Sequence, residues 1–345
     1  EDSTYIDQSF NLLATATSGT IESPIYGPAT QWTSFHWRGA SYDPSPSDSV
    51  NIDLVGIQGN GQADVLSTVY SAQDTSLSFV DASVYPYMKL IVHEKDDQFV
   101  TPYQLHYLRI NALPAPEGCV APNLLFQAKD TLEQGEPLVF AIAFKNISEV
   151  PFDSLLKVKM VITDQNNIAH PINIPKRKSL IAGDTLSVLY TIDTKDLPGM
   201  NTLFIDFNPD NDQPEMYHFN NVLYKNFFVK TDSYHPLLDV TFDGVHILNK
   251  DIVAARPHIY MELRDESKYL ALKDTALMKV QVRYPDQQIR TINFGDTMRF
   301  NPADLSSGKN KASIDYMPYF KEDGDYELVV SGKDVVGNSA GNLDY

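Results

Sequence analysis

Apolar and polar residues alternate over short runs along most of the chain, and no stretch sustains a helical period. Val50, Ile52 and Leu54 alternate with Asn51 and Asp53 before Gly56, the period-2 pattern of a half-buried strand. Trp32, Phe35 and Trp37 cluster just before it, after a segment punctuated by Pro24, Gly27 and Pro28. A loop rich in Pro, Ser and Asp over 41–49 separates the two. Further strands are predicted over 65–70, 88–93 and 105–110, and the stretch 77–87 reads as one helical turn before Pro86. The first 116 residues are thus expected to form an all-β sandwich of the jelly-roll, galactose-binding-like type.

Pro114, Pro116, Gly118 and Pro122 then mark a linker, in which the lone cysteine, Cys119, lies. Beyond it, 124–128, 138–146, 157–163, 186–192, 203–207 and 222–229 read as strands separated by turn residues, which predicts an immunoglobulin-like sandwich over 119–232. Residues 206–221, rich in Asn, Asp and Pro, read as the turn between two antiparallel strands. A third unit over 233–345 opens with Leu238, Val240 and Phe242 before Asp243-Gly244, a two-residue hairpin signal. Strands follow over 258–263, 277–284, 312–316 and 326–331, and the unit reads as immunoglobulin-like and truncated at its C-terminal end. The fold class is therefore all-β: tandem β-sandwiches, one jelly-roll-like and two immunoglobulin-like.

Composition narrows the function classes. Forty-five Asp and Glu against 27 Lys and Arg give a formal charge of −18, and the one short basic run, 176–178, is no phosphate-binding surface. Nucleic acid is excluded as a partner. A single cysteine permits no internal disulfide, and no apolar run reaches the roughly 20 residues that a membrane helix needs. The chain starts at Glu1 with neither Met nor signal peptide, and it reads as a piece of a longer protein.

Candidate chemistry is sparse. Cys119 has no base oriented toward it in sequence, and none of the eight His residues, His246 and His258 included, falls in a metal or catalytic motif. Asp210, Asp212 and Glu215 offer the carboxylates that calcium prefers, as do Asp323 and Asp325, although no complete calcium loop is present. Trp32, Trp37 and Tyr42, with Tyr85 and Tyr87, offer rings on which a sugar can stack. These features keep two alternatives open: a carbohydrate- or surface-ligand-binding adhesion module, and a hydrolase whose site is not readable from sequence.

Two resemblances add to this reading. Gly135 before a strand ending in Lys145-Asn146, Leu180 with Gly183-Asp184, Gly199, and Pro214-Glu215 followed by Phe219-Asn220-Asn221 resemble a CARDB domain, a bacterial immunoglobulin-like module related to cell adhesion. Over the whole chain, Tyr85-Pro86-Tyr87-Met88-Lys89-Leu90, Thr101-Pro102-Tyr103-Gln104-Leu105, Pro116-Glu117-Gly118, the run 235–247 and the run 334–342 resemble the region that follows the peptidase domain in gingipain-related, sortase-like proteins of the Bacteroidetes type IX secretion system. That resemblance implies a caspase-like cysteine peptidase domain upstream and a sorting domain downstream. It implies that this chain is a non-catalytic accessory or scaffold region; no cofactor is expected beyond the calcium that the carboxylates named above could bind. The chain would be secreted or held at the exterior of the outer membrane, and its partners would be its own peptidase-like and sorting domains and other secretion-system or cell-surface proteins.

Overall fold

The computed structural model describes residues 16–43, 48–152, 154–211 and 213–345. The protein is all-β, as the alternation predicts: among the described residues, six sheets pack around three separate hydrophobic cores. Among the described residues, helix is limited to three single 3₁₀ turns, and no helix is long and apolar enough to cross a membrane.

The first core lies between strands β1 (Ser18–Glu22), β2 (Ala29–Ala40), β3 (Ser49–Ile57), β4 (Ala63–Val69), β5 (Asp74–Ser76), β6 (Tyr87–Lys95) and β7 (Gln104–Pro114). One sheet has the order β1-β6-β3-β4 and the other β5-β2-β7. Strict alternation would send Trp32 and Phe35 to opposite faces, because they are three residues apart. Yet Trp32, Phe35 and Trp37 are all buried in one core. The cause is a register shift between Trp32 and Ser34 against β7, where an extra residue returns Phe35 to the inner face. The stretch before Pro86 makes the single turn expected of it, with Tyr85 N–H donating to the Asp81 carbonyl at 2.9 Å.

The second core is enclosed by β8 (Gly118–Val120), β9 (Phe126–Gln127), β10 (Thr131–Glu133), β11 (Leu138–Asn146), β12 (Val158–Thr163), β13 (Ala169–Ile172), β14 (Thr185–Ile192), β15 (Gly199–Phe207) and β16 (Val222–Lys230). Its sheets run β10-β16-β15-β12-β13 and β14-β11-β8, with β9 also on β11. The Pro-rich segment is not a free tether. Gly118–Val120 pairs with β11, so Cys119 sits in a ladder opposite Lys145. The third core lies between β17 (Leu237–Phe242), β18 (Ile259–Asp265), β21 (Met298–Asn301) and β22 (Asn310–Tyr316) on one side, and β19 (Met278–Arg283), β20 (Ile289–Thr291), β23 (Glu327–Lys333) and β24 (Ser339–Asp344) on the other. Asp243 and Gly244 both have positive φ, 50° and 83°, as a two-residue primed turn requires. The turn closes only one bridge, Phe242 to Val245, and β17 takes β18 as its partner instead of forming the short hairpin that the dipeptide suggests.

Candidate functional site at the unit junctions

The long connection between β15 and β16 is densely hydrogen-bonded. It begins on Asn208, whose φ of 56° lies in the left-handed region that Asn tolerates. The Asn208 amide donates to the Gln213 carbonyl at 2.6 Å and to Glu215 Oε1 at 2.7 Å. Asn221 Nδ2 donates to the same Oε1 at 2.7 Å, and Gly118 N–H donates to Glu215 Oε2 at 3.0 Å. Beside it, Glu117 takes the Tyr217 N–H at 2.8 Å and the Asn220 amide at 2.6 Å. The two glutamates therefore sew residues 117–118, where the chain leaves the first unit, onto the 215–221 loop of the second. The Pro-Glu…Asn-Asn pattern is a clasp: each Asn of the pair serves one Glu. Gly118 can carry no side chain here, since a Cβ would lie 2.2 Å from Phe144 Cζ. Burial pushes the Glu215 carboxyl up to about 7, opposed by the donors from Asn208, Gly118 and Asn221.

This geometry reassigns Glu215. Both of its oxygens accept N–H donors, so it holds backbone and amides where a calcium ligand was expected. Asp210 is exposed and ion-paired with Lys157, whose hydrogen bond lowers its pKa, and Asp212 lies outside the described residues. Asp323 and Asp325 are exposed, and neither belongs to a converging acidic group among the described residues. The expected stacking platform is not built either. Trp32 and Trp37 are each 1% exposed and face the core, while Tyr42 is 72% exposed. Trp32 Nε1 donates to the Tyr85 carbonyl at 2.8 Å. The composition of β2 could not say which way its tryptophans face, because the register shift decides it. His246 and His258 bond to Asp239 and Asp315, each at 2.8 Å, and so serve as local structure. An exposed aromatic pair does exist elsewhere, Tyr217 with Phe219, ring centroids 5.7 Å apart on the clasp loop. Next to it, Met216 joins Tyr26, Ala29, Trp32, Ile110 and Ala112 around a shallow apolar cleft of about 220 Å³.

The second junction uses the same logic. The Gln134 side chain of the second unit accepts the Asp232 N–H at 2.9 Å and donates to the Lys195 carbonyl at 2.7 Å. Asn338 Nδ2 of the third unit donates to the Asp232 carbonyl at 3.0 Å and to Asp334 Oδ2 at 2.8 Å. Asp334 Oδ1 takes the N–H groups of Val336, Gly337 and Asn338, which is why the Asp-x-x-Gly-Asn run closes here. Gly135, at φ 82°, lies against the Tyr269 and Leu270 side chains across the junction. Asp232, Asp265 and Asp334 present oxygens within 4.8 Å of one another. Burial, then the charge of Asp232, raises the Asp265 carboxyl to about 6. A folded-state value above the ordinary 3.8 means that folding takes up a proton between those values, so this contribution to stability is complete below about 3.8 and lost as pH rises through about 6. Asp265→Asn is expected to abolish that slope and to leave stability at pH 7.5 equal or higher, as read by thermal melts across pH.

No protein-family model matches the sequence, and no curated protein sequence matches it. Solved structures do resemble it. The CARDB domain of a Pyrococcus furiosus protein, crystallised in complex with di-metal ions, matches 35% of this chain and all of that domain, at 14% identity and a TM-score of 0.28. A β-glucosidase from Listeria innocua matches 39% of this chain and 19% of its own, at 15% identity and a TM-score of 0.24. An Escherichia coli alpha-2-macroglobulin activated by porcine elastase matches 95% of this chain and 34% of its own, at 10% identity and a TM-score of 0.24. The chain thus spans about a fifth to a third of the two long proteins.

Proposed function

We propose that the chain is a non-catalytic accessory region that spaces and orients the other domains of a secreted, cell-surface protein. The carrying observation is the pair of clasped junctions. At the first, Glu117 and Glu215 bind the connection to the second unit while the Ala115 N–H donates to the Pro28 carbonyl of the first; at the second, Gln134 and Asn338 hold the Asp232 backbone from the two flanks, so the connections are built as joints of fixed geometry and not as flexible tethers. A CARDB-like middle unit and an attachment to a gingipain-related, peptidase-like protein of the type IX secretion pathway agree with the motifs at 214–221 and 334–342. On this reading the peptidase chemistry belongs upstream of the chain, and the sandwich units supply reach and contact surface. Spin labels at the exposed positions Asn60 and Lys309, in a Cys119→Ser background, test it. The expected distance distribution is narrow in the parent and broader when Glu117→Ala opens the first clasp. A broad distribution in the parent would sink the spacer reading. The exposed Tyr217–Phe219 pair favours a second reading, capture of a surface ligand; in a glycan-array screen, that reading predicts binding that is lost in Phe219→Ala while the distance distribution stays narrow.

A further inference from the structure

The first unit carries an acidic cluster that the clasps do not use. Asp43 follows β2, Asp48 precedes β3 and Asp96 follows β6. β3 and β6 pair with Ser49 opposite Lys95, so Asp48 and Asp96 leave the same end of the ladder, while Asp43 arrives from the opposite sheet. One carboxylate oxygen from each lies within 4.8 Å of the others. That closeness permits a shared ion, since two oxygens each about 2.4 Å from one cation cannot be farther apart than about 4.8 Å.

Acidic groups crowd together on many surfaces, and the decisive observation is Asp48. Each of its carboxylate oxygens exposes less than 1 Å², and neither has a hydrogen-bond partner among the described residues. Asp48 is half-buried as a residue, but its two oxygens are covered, and covering carboxylate oxygens that meet no donor costs free energy. Among the described residues, no ion pair relieves it. Lys95, the base adjacent to Asp96 in sequence, turns to Asp97 at 2.5 Å. Asp96 itself is fixed as an acceptor by the N–H groups of Gln98, Phe99 and Thr101 at 2.9, 3.1 and 2.8 Å. Burial, then the nearby Asp48 carboxylate, raises the pKa of Tyr103, whose ring lies 6.3 Å from that of Trp37.

We propose that Asp43, Asp48 and Asp96 bind a divalent cation of calcium's size and hardness, which joins the two sheets where β2 gives way to β3. An all-carboxylate donor set without His or Cys suits calcium over zinc, and ligands drawn from two connections, β2–β3 and β6–β7, suit calcium's tolerant geometry over the strict octahedron of magnesium. The site would stabilise the first unit in calcium-rich surroundings and loosen it in a chelator.

Terbium titration of the chelator-stripped chain tests this, with Trp37 and Tyr103 as sensitising rings. Sensitised emission is expected to saturate near one equivalent, to be displaced by Ca²⁺ and not by equal Mg²⁺, and to require at least about tenfold more terbium in Asp48→Asn. Asp265→Asn, in the other acidic trio, is expected to titrate like the parent. The thermal midpoint of the parent should rise by about 5 °C or more between chelator and about 1 mM Ca²⁺. Asp48→Asn should melt equally in both, and no lower than the parent does in chelator. Emission without saturation, unchanged terbium affinity in Asp48→Asn, loss of emission in Asp265→Asn, or a parent midpoint indifferent to Ca²⁺ would each overturn the proposal. The parent's midpoint decides the matter even if the Asp48 variant fails to fold.

Discussion

Glu215→Ala is expected to destabilise the second unit by at least about 3 kcal/mol, among the largest effects of any polar substitution in the chain. Hydrogen bonds to a charged acceptor are worth about 1.5–3 kcal/mol each, and an orphaned buried donor costs about 1–3 kcal/mol. The truncation strips the acceptor from Gly118 N–H, and from two side-chain amides that keep weaker or single alternatives: Asn208 with the Gln213 carbonyl, and Asn221 with His218 Nδ1 at 3.4 Å. It also leaves a void beside the ring stack of Phe144 on Phe207. Glu215→Gln keeps the shape but turns an NH₂ group toward donors, so its cost falls between that of the parent and the Ala variant. Hydrogen exchange should show faster exchange at 117–118 and 213–221 in both variants, and denaturant melts should order them Ala, Gln, parent. Because the folded carboxyl is raised to about 7 from an ordinary 4.5, its contribution is complete below about 4.5 and lost as pH rises through about 7. Subtracting the Glu215→Gln melt from that of the parent at each pH isolates this slope from the parallel one of Asp265. An Ala variant as stable as the parent would show that the clasp is a surface ornament.

The same residue shows how much of the molecule was legible in its sequence. All-β architecture followed from alternation alone, because the period of side-chain direction in a strand is a local property. The Pro-Glu…Asn-Asn run also stood out as specific, and it is the clasp. Its chemistry was not legible: a Glu beside two Asp reads as a metal ligand until its partners are known, and one of those partners, Gly118 at the start of β8, lies far away in sequence, while Asn221 is brought in by the 3₁₀ turn before β16. The acidic group at Asp43, Asp48 and Asp96 escaped for the same reason, since the register of β3 on β6 brings the last two together across forty-odd residues of chain. Strand patterning predicts which face a residue takes only while the register is unbroken.

Trp37 is where that lesson has its largest measurable consequence. Trp37→Ala is expected to cost about 3–5 kcal/mol, because the ring is buried in the first core and its removal leaves a cavity that β-sheet backbone cannot close. For a unit of about a hundred residues, this lowers the melting temperature by upwards of about 12 °C. Trp37→Phe should cost markedly less than its lost volume suggests, since Nε1 is buried without a partner and its loss removes an unsatisfied donor. Tyr42→Ala, at an exposed position, should stay within about 0.5 kcal/mol of the parent. Calorimetry on the three variants separates core from surface: a Trp37→Ala midpoint within 2 °C of the parent's would mean that the ring is not packed as described. The ordering also governs ligand screens. Loss of binding in Trp37→Ala would report a damaged sandwich, whereas loss in Phe219→Ala, on the exposed clasp loop, would report a contact, so the aromatic pair at the first junction is where a binding function must be sought.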